Sequence, residues 1–205
     1  MTKDTFERFS QNILRQLSPL TRHIASLNSI QTQSMDAGVK SLVQWTRTKS
    51  ATIVFDSSVD AFTGEAFFAK VGQKKNVAAI CFTTEGDVFG GCWSAPVRAL
   101  DTQTPDPTIF LFSLETHGRC SVPRPFPAKK GTTQQPFVTV LGHFKNGFLR
   151  FGHGKARLCL GDECSSSFCE QLANGFEGLD EYLLVGRVGV RSNIHVTRLV
   201  ALFLV

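Results

Sequence analysis

Residues 77–93 read VAAICFTTEGDVFGGCW, and the rest of the chain is organised around them. Val77 to Phe82 is apolar at every position, the pattern of a central strand covered on both faces. Thr84-Glu85-Gly86-Asp87 supplies turn chemistry, and Val88 to Trp93 returns as a second strand, so the segment predicts a hairpin. Gly90-Gly91 inside the returning strand predicts a bulge or a close approach by another part of the chain.

Working outward toward the C-terminus, Thr108 to Leu114 is a second strong strand and Thr116-His117-Gly118 turns it. Cys120 to Phe126 pairs weakly back, with Pro123, Pro125 and Pro127 confining it to an edge or a loop. Phe137 to Leu141, Phe148 to Phe151 and Ala156 to Leu160 read as further strands, separated by the turns Lys145-Asn146-Gly147 and Gly152-His153-Gly154. A short helix is expected near Ser165–Leu172, and Val185 to Val190 and Val196 to Val205 complete the sheets. Toward the N-terminus, Ala51 to Phe55 is a β-type run that ends in Asp56-Ser57-Ser58. Thr63-Gly64-Glu65 opens a short helix through Val71, and Gly72 to Asn76 turns into the hairpin. Many short strands at close intervals predict a β-rich α+β fold: a two-sheet, mostly antiparallel β sandwich with short flanking helices.

Ahead of the sandwich the period changes to that of a helix. Ile13, Leu17, Leu20, Ile24 and Leu27 are spaced 4-3-4-3, the seam of a short coiled coil. Val39, Leu42 and Val43 continue the apolar stripe, and Ser18-Pro19 is a helix start. The division expected is an arm over residues 1–48 and a domain over residues 49–205. The arm either self-associates as a weak dimer through residues 13–45 or lies back on its own domain.

The chain has 205 residues with 18 Phe against one Tyr and two Trp, so the core is expected to be filled by phenyl rings that need no hydrogen-bond partner. The net charge of +5 is unevenly placed: residues 1–50 hold seven Lys/Arg against three Asp/Glu, and residues 51–205 fifteen against fourteen. A nearly neutral domain argues against a broad nucleic-acid surface, which leaves nucleic-acid binding to the basic arm as an alternative. No charged segment followed by an apolar core opens the sequence, and the longest apolar run, Leu199 to Val205, is too short to span a bilayer as a helix. The reading predicts a protein of the cytoplasm or nucleus, with no membrane insertion.

The six cysteines, Cys81, Cys92, Cys120, Cys159, Cys164 and Cys169, contain no C-x-x-C pair, and the even spacing of the last three is not that of a zinc site. They are expected to be buried or free thiols, with no metal and no cofactor. His117, His143 and His153 fall at or near predicted turns, where exposure is the default. A Cys–His pair of Cys164 or Cys169 with His153 is the nucleophile to consider. Gly152-His153-Gly154-Lys155 has the look of a phosphate loop without its spacing, and no serine-hydrolase elbow is present. Asp56, Asp60 and Glu65 gather around one turn without calcium-loop spacing. Asp56 is read as a turn former and Glu65 as a first-turn helix residue.

Five stretches in order resemble the TLDc domain family. Ala51 to Ser57 is similar to its opening strand and turn, and Glu85 to Trp93 to its "VFG" hairpin. Phe110 to Leu114 is similar to its "FLFS" strand, Phe148 to Gly154 to its "FGNG" segment, and Asn193 to Val205 to its last strand. A helical segment ahead of the domain is similar to divergent protist members. The motif residues, expected to be structural, are Asp56, Phe89, Gly90, Gly91, Phe112, Gly152 and Gly154. The chain departs from the family pattern at Asp101–Pro107, Arg157–Glu163 and Leu199–Leu202. The resemblance implies a β sandwich without catalytic activity that binds protein partners, is linked to oxidative-stress resistance, and engages subunits of the vacuolar proton pump (V-ATPase). The rival expectation is a thiol-based redox or enzymatic activity through surface cysteines.

Overall fold

The computed structural model describes residues 35–131, 134–142, 148–161, 167–187 and 191–205. The chain divides into two compact units, residues 1–37 and 38–205. Of the first, only the helical residues 35–37 are described, so the seam Ile13, Leu17, Leu20, Ile24 and Leu27 lies outside the described residues.

The second unit carries two antiparallel six-stranded sheets. The first is built from β1 (Ala51–Asp56), β2 (Val77–Thr83), β3 (Val88–Trp93), β5 (Phe110–Glu115), β6 (Arg124–Pro127) and β12 (Val196–Leu204), in the order β1-β12-β2-β3-β5-β6. The second runs β11-β10-β9-β8-β7-β4, from β4 (Thr104–Pro105), β7 (Phe137–Val140), β8 (Leu149–His153), β9 (Ala156–Leu160), β10 (Ser167–Glu170) and β11 (Arg191–Ile194). The expected sandwich is present. As the apolar run implied, every residue of β2 is buried, because β3 and β12 flank it and both of its faces are covered. β6, with its two prolines, sits at a sheet edge as read.

The interior between the sheets is phenyl-rich. Phe55 meets Phe67 at 5.1 Å, Phe67 meets Phe148 at 5.4 Å, and Trp93 meets Phe151 at 5.7 Å between ring centroids. The glycine pair in β3 is explained here: a Cβ on Gly91 would fall 2.6 Å from the Phe151 ring, so a side chain there would push the two sheets apart. The ladder is also irregular, with a register shift between Val88 and Phe89. Of the two alternatives raised for Gly90-Gly91, the close approach occurs there, and the irregularity lies one step earlier in the strand.

Helix α2 (Gly64–Val71) begins as its sequence dictates: Thr63 Oγ1 accepts the N–H of Ala66 at 3.2 Å, and Phe67 and Val71 turn inward. Three expectations are corrected. The helix placed near Ser165–Leu172 is the strand β10 for Ser167–Glu170, and the helix α3 starts only at Leu172 and ends at Gly175. Ser167 to Glu170 pairs with β11 on one side and β9 on the other, and that ladder outweighs a weak local helical pattern. The strand placed at Val185 is instead the end of helix α4 (Glu181–Val185). Asp180 caps it by accepting the N–H of Leu183 at 2.7 Å, and Gly186 closes it in the left-handed region at φ +69°. Third, β8 continues through His153, so the turn falls on Gly154-Lys155.

The helical residues 38–46 (α1) rest on the outer face of the first sheet. Leu42 is fully buried, and Trp45 packs on Phe110 and Phe112 at 6.3 and 6.2 Å. A Cβ on Gly38 would collide with Leu114. No helix among the described residues is long and apolar enough to cross a membrane. Because α1 contributes a fully enclosed leucine, Leu42→Ala should destabilise the domain by about 2–5 kcal/mol in equilibrium urea unfolding. A loss below about 1 kcal/mol would show that α1 is not part of the folded core.

Candidate functional site

The seven motif residues do not converge. Phe89 and Gly91 face the core between the sheets, Phe89 being fully buried. Phe112 lies on the opposite face of the first sheet, beside Gly90, where a Cβ would stand 2.8 Å from its ring. Gly152 lies beneath the Phe137 ring in the second sheet, and Gly154 takes φ +63° in the β8–β9 turn, a conformation that favours glycine. Each is explained by a close approach or a turn.

Asp56 is more than a turn former. Its Oδ1 accepts the N–H and hydroxyl of Ser58 at 3.0 and 2.8 Å, and Arg198 spans both carboxylate oxygens at 3.0 and 2.5 Å. The pair ties the end of β1 to β12 across 142 residues of sequence. Burial alone would raise the Asp56 carboxyl, but the hydrogen bonds from Arg198 and Ser58 outweigh it and hold the carboxyl at about 2. Asp60 belongs to the same turn: its Oδ2 accepts the N–H of Asp56 at 2.9 Å, and Lys70 lies 3.3 Å from its Oδ1.

Two buried carboxylates that the sequence reading passed over are also committed internally. Asp106 accepts the N–H groups of Ser94 (2.5 Å), Ala95 (2.8 Å) and Thr108 (2.8 Å) and the Thr108 hydroxyl (2.6 Å). The Asp-Pro-Thr spelling is an Asx-turn signal and would have found it. Asp87 Oδ1 accepts Arg119 Nη2 at 2.7 Å and lies 3.1 Å from His117 Nδ1, while Arg119 Nη2 also reaches the carbonyl of Leu184 at 3.3 Å. This cluster ties the β2–β3 turn to the β5–β6 connection and to α4. His117 is exposed, as expected of a turn residue, though held by Asp87. No sequence signal links these three segments.

His153 corrects the expectation of an exposed turn histidine. It is 2% exposed, with Nδ1 2.8 Å from the carbonyl of Gly175 and Nε2 3.0 Å from that of Gln134. His143 and Cys164 lie outside the described residues. Cys81, Cys92, Cys159 and Cys169 are buried free thiols, and Cys120 is half-buried. Burial pushes all four buried thiols up, Cys92 and Cys169 to about 12. In the β9–β10 ladder Cys159 stands opposite Phe168 and Cys169 opposite Leu158, so the two cysteines point to opposite faces of the sheet. The proposed nucleophilic partnership of Cys169 with His153 therefore fails: the thiol is held protonated, and both ring nitrogens face carbonyl oxygens. Among the described residues no group of three or more His, Cys, Asp or Glu side chains is placed to hold a metal ion.

A cleft of about 500 Å³ opens at the β4 edge of the second sheet. Gln103 and Pro105 form one wall, Gln134, Gln135 and Phe137 another, and Gly154 and Arg157 the third. Its volume is within the range of binding sites, and its lining mixes amide, cationic and apolar groups. Of the sequence-derived motif residues it takes in only Gly154. The wall at Gln134 is held by His153, whose buried ring sits with Nε2 3.0 Å from that residue's carbonyl oxygen and Nδ1 2.8 Å from that of Gly175 in α3.

The fold and these internally spent polar clusters describe a β-sandwich domain, and a comparison with protein families gives its class: the TLDc domain model matches residues 24–183. The match covers most of the chain, and the chain belongs to the TLDc domain family. It stops short of β12, the strand that lies between β1 and β2. A comparison with curated proteins gives no match.

Two measurements check this account. The Asp56 carboxyl is lower when folded than its ordinary 3.8, so its stabilisation is complete above about pH 4 and is lost as pH falls toward 2. Asp56→Asn should cost about 2 kcal/mol at pH 7, and the gap from wild type should close between pH 4 and pH 2 in urea titrations. Alkylation of the folded protein at pH 7.5, followed by peptide mass mapping, should modify Cys81, Cys92, Cys159 and Cys169 at least about 10³-fold more slowly than in denaturant.

Proposed function

We propose that this chain is a non-enzymatic interaction module of TLDc type that binds other proteins. The observation that carries the reading is where the polar groups go. Asp56, Asp87, Asp106 and His153 are each occupied in holding elements of the fold together. The open cleft beside β4 leaves a mixed polar and apolar lining at the surface. A rigid sandwich with a surface recess is suited to recognition, and catalysis would need a nucleophile or base aimed into that recess.

Cytoplasmic subunits of the vacuolar proton pump are the first partner to test, because that is what the family resemblance implies. A role in oxidative-stress resistance and a cytoplasmic location belong to the same proposal. The self-association seam of Ile13, Leu17, Leu20, Ile24 and Leu27 adds a weak homodimer as a second proposal. The buried thiols support the interaction reading over a redox one, which would have to run through Cys120 or Cys164.

Biolayer interferometry of the purified chain against the purified cytoplasmic sector of the pump should give saturable binding. Light scattering should give a mass that falls to that of a monomer when Leu20 and Ile24 are both replaced by Asp. If neither the pump nor any cross-linked partner binds saturably, the interaction reading falls. An unchanged mass in the double variant removes the dimer.

A further inference from the structure

We infer that the cleft beside β4 is the recognition site for an extended, acidic peptide segment of a protein partner; this rests on the interaction reading above. The argument begins with the cations. Arg198 is bound bidentately by Asp56, Arg119 is bound by Asp87, and Arg187 meets Glu85 at 2.9 Å. Arg191 lies 3.6 Å over the Phe168 ring. These guanidinium groups are spent on the fold or on its surface. Arg157 is different: it lines the cleft, its side chain is 47% exposed, and the nearest carboxylate, Glu170, is only loosely paired at 3.7 Å. A planar guanidinium held this loosely at a recess is a carboxylate receptor, because its fork matches the two oxygens of an incoming Glu or Asp.

The rest of the lining fits the backbone of the same ligand. Gln103, Gln134 and Gln135 bring amides, which both donate and accept and so match the alternating N–H and C=O groups of an extended chain. Pro105 and Phe137 offer apolar area for a side chain between the acidic ones. Among the described residues no carboxylate belongs to the lining itself, and the Glu170 carboxylate opposite Arg157, at 3.7 Å, is the partner that a ligand carboxylate would exchange for. The recess is also preorganised. His153 pins the main chain of Gln134 to the body of the second sheet, and Gly154 holds the adjacent turn at φ +63°. Little ordering is then required when a ligand arrives.

The test uses the full chain and a fluorescein-labelled peptide, acetyl-Gly-Glu-Glu-Phe-Glu-Glu-Gly-amide, with the counterpart in which Gln replaces each Glu. Fluorescence anisotropy should give saturable binding of the acidic peptide, at least about tenfold weaker for the Gln peptide, and weakened by 0.5 M salt. Arg157→Ala should weaken it about tenfold or more, and Gln135→Glu, which places a negative charge on an exposed wall residue, should do likewise. Both variants should melt within a few degrees of wild type by circular dichroism. Equal binding of the two peptides, or wild-type affinity in folded Arg157→Ala, overturns the proposal. So does displacement of the peptide by succinate at the peptide's own concentration, which would assign a small-anion site. The pump-binding assay separates the two levels of failure. Pump binding without any peptide binding removes the cleft and leaves the interaction module. Peptide binding that depends on Arg157, without pump binding, keeps the cleft and removes only the pump as partner.

Discussion

The position of β12 is the constraint on which the sandwich depends. This last strand lies between β1 and β2, so Ala51 to Asp56 reaches the sheet only through residues 196–204. Without it β1 would have no ladder, and β2, whose seven residues are all buried, would lose the backbone partners on one side. An unpaired backbone group in a buried strand costs about as much as a lost hydrogen bond, so the arrangement is strongly cooperative. The Arg198–Asp56 bond sits at this junction, close to register shifts in both ladders, and fastens the first strand of the sandwich to the last.

The second dependence is on ring packing. Phe55, Phe67, Phe89, Phe126, Phe148, Phe151 and Phe176 belong to the hydrophobic core, which they fill with groups that carry no polar atom to satisfy. Rings of that size require small residues opposite them: Gly91 makes room for Phe151 between the sheets, and Gly152 makes room for Phe137 within the second sheet. The family motif residues are therefore places of close packing, within a sheet or between the two, or of turn geometry. That is why they are scattered over the fold, and why none of them by itself marks a binding site.

The polar chemistry follows from the same economy. Asp87 and Asp106 are removed from water and survive there only because several donors converge on each of them. These clusters stiffen the ends of the sandwich. A recess open to an outside molecule lies at the β4 edge, where the two-residue strand Thr104–Pro105 leaves the sheet short.

Much of this was legible in the sequence. The apolar run of Val77–Phe82, the returning glycine-bearing strand and the prolines around Phe126 specify local structure through side-chain period and backbone freedom, and they were read correctly. Short-range patterns went wrong where a weak local preference met a long-range ladder. Ser167–Glu170 is a strand because β9 and β11 flank it, and Glu181–Val185 is a helix because Asp180 caps its start and Gly186 its end. The arm seam lies outside the described residues. The polar geometry could not be read at all, since Asp56 with Arg198, Asp87 with Arg119, and His153 with Gln134 and Gly175 are joined across distant positions. A linear sequence states which residues are apolar, flexible or charged, because those are properties of single side chains and their neighbours. Which carboxylate meets which guanidinium, and which arginine is left facing a cleft, is decided only by the order in which the strands pair.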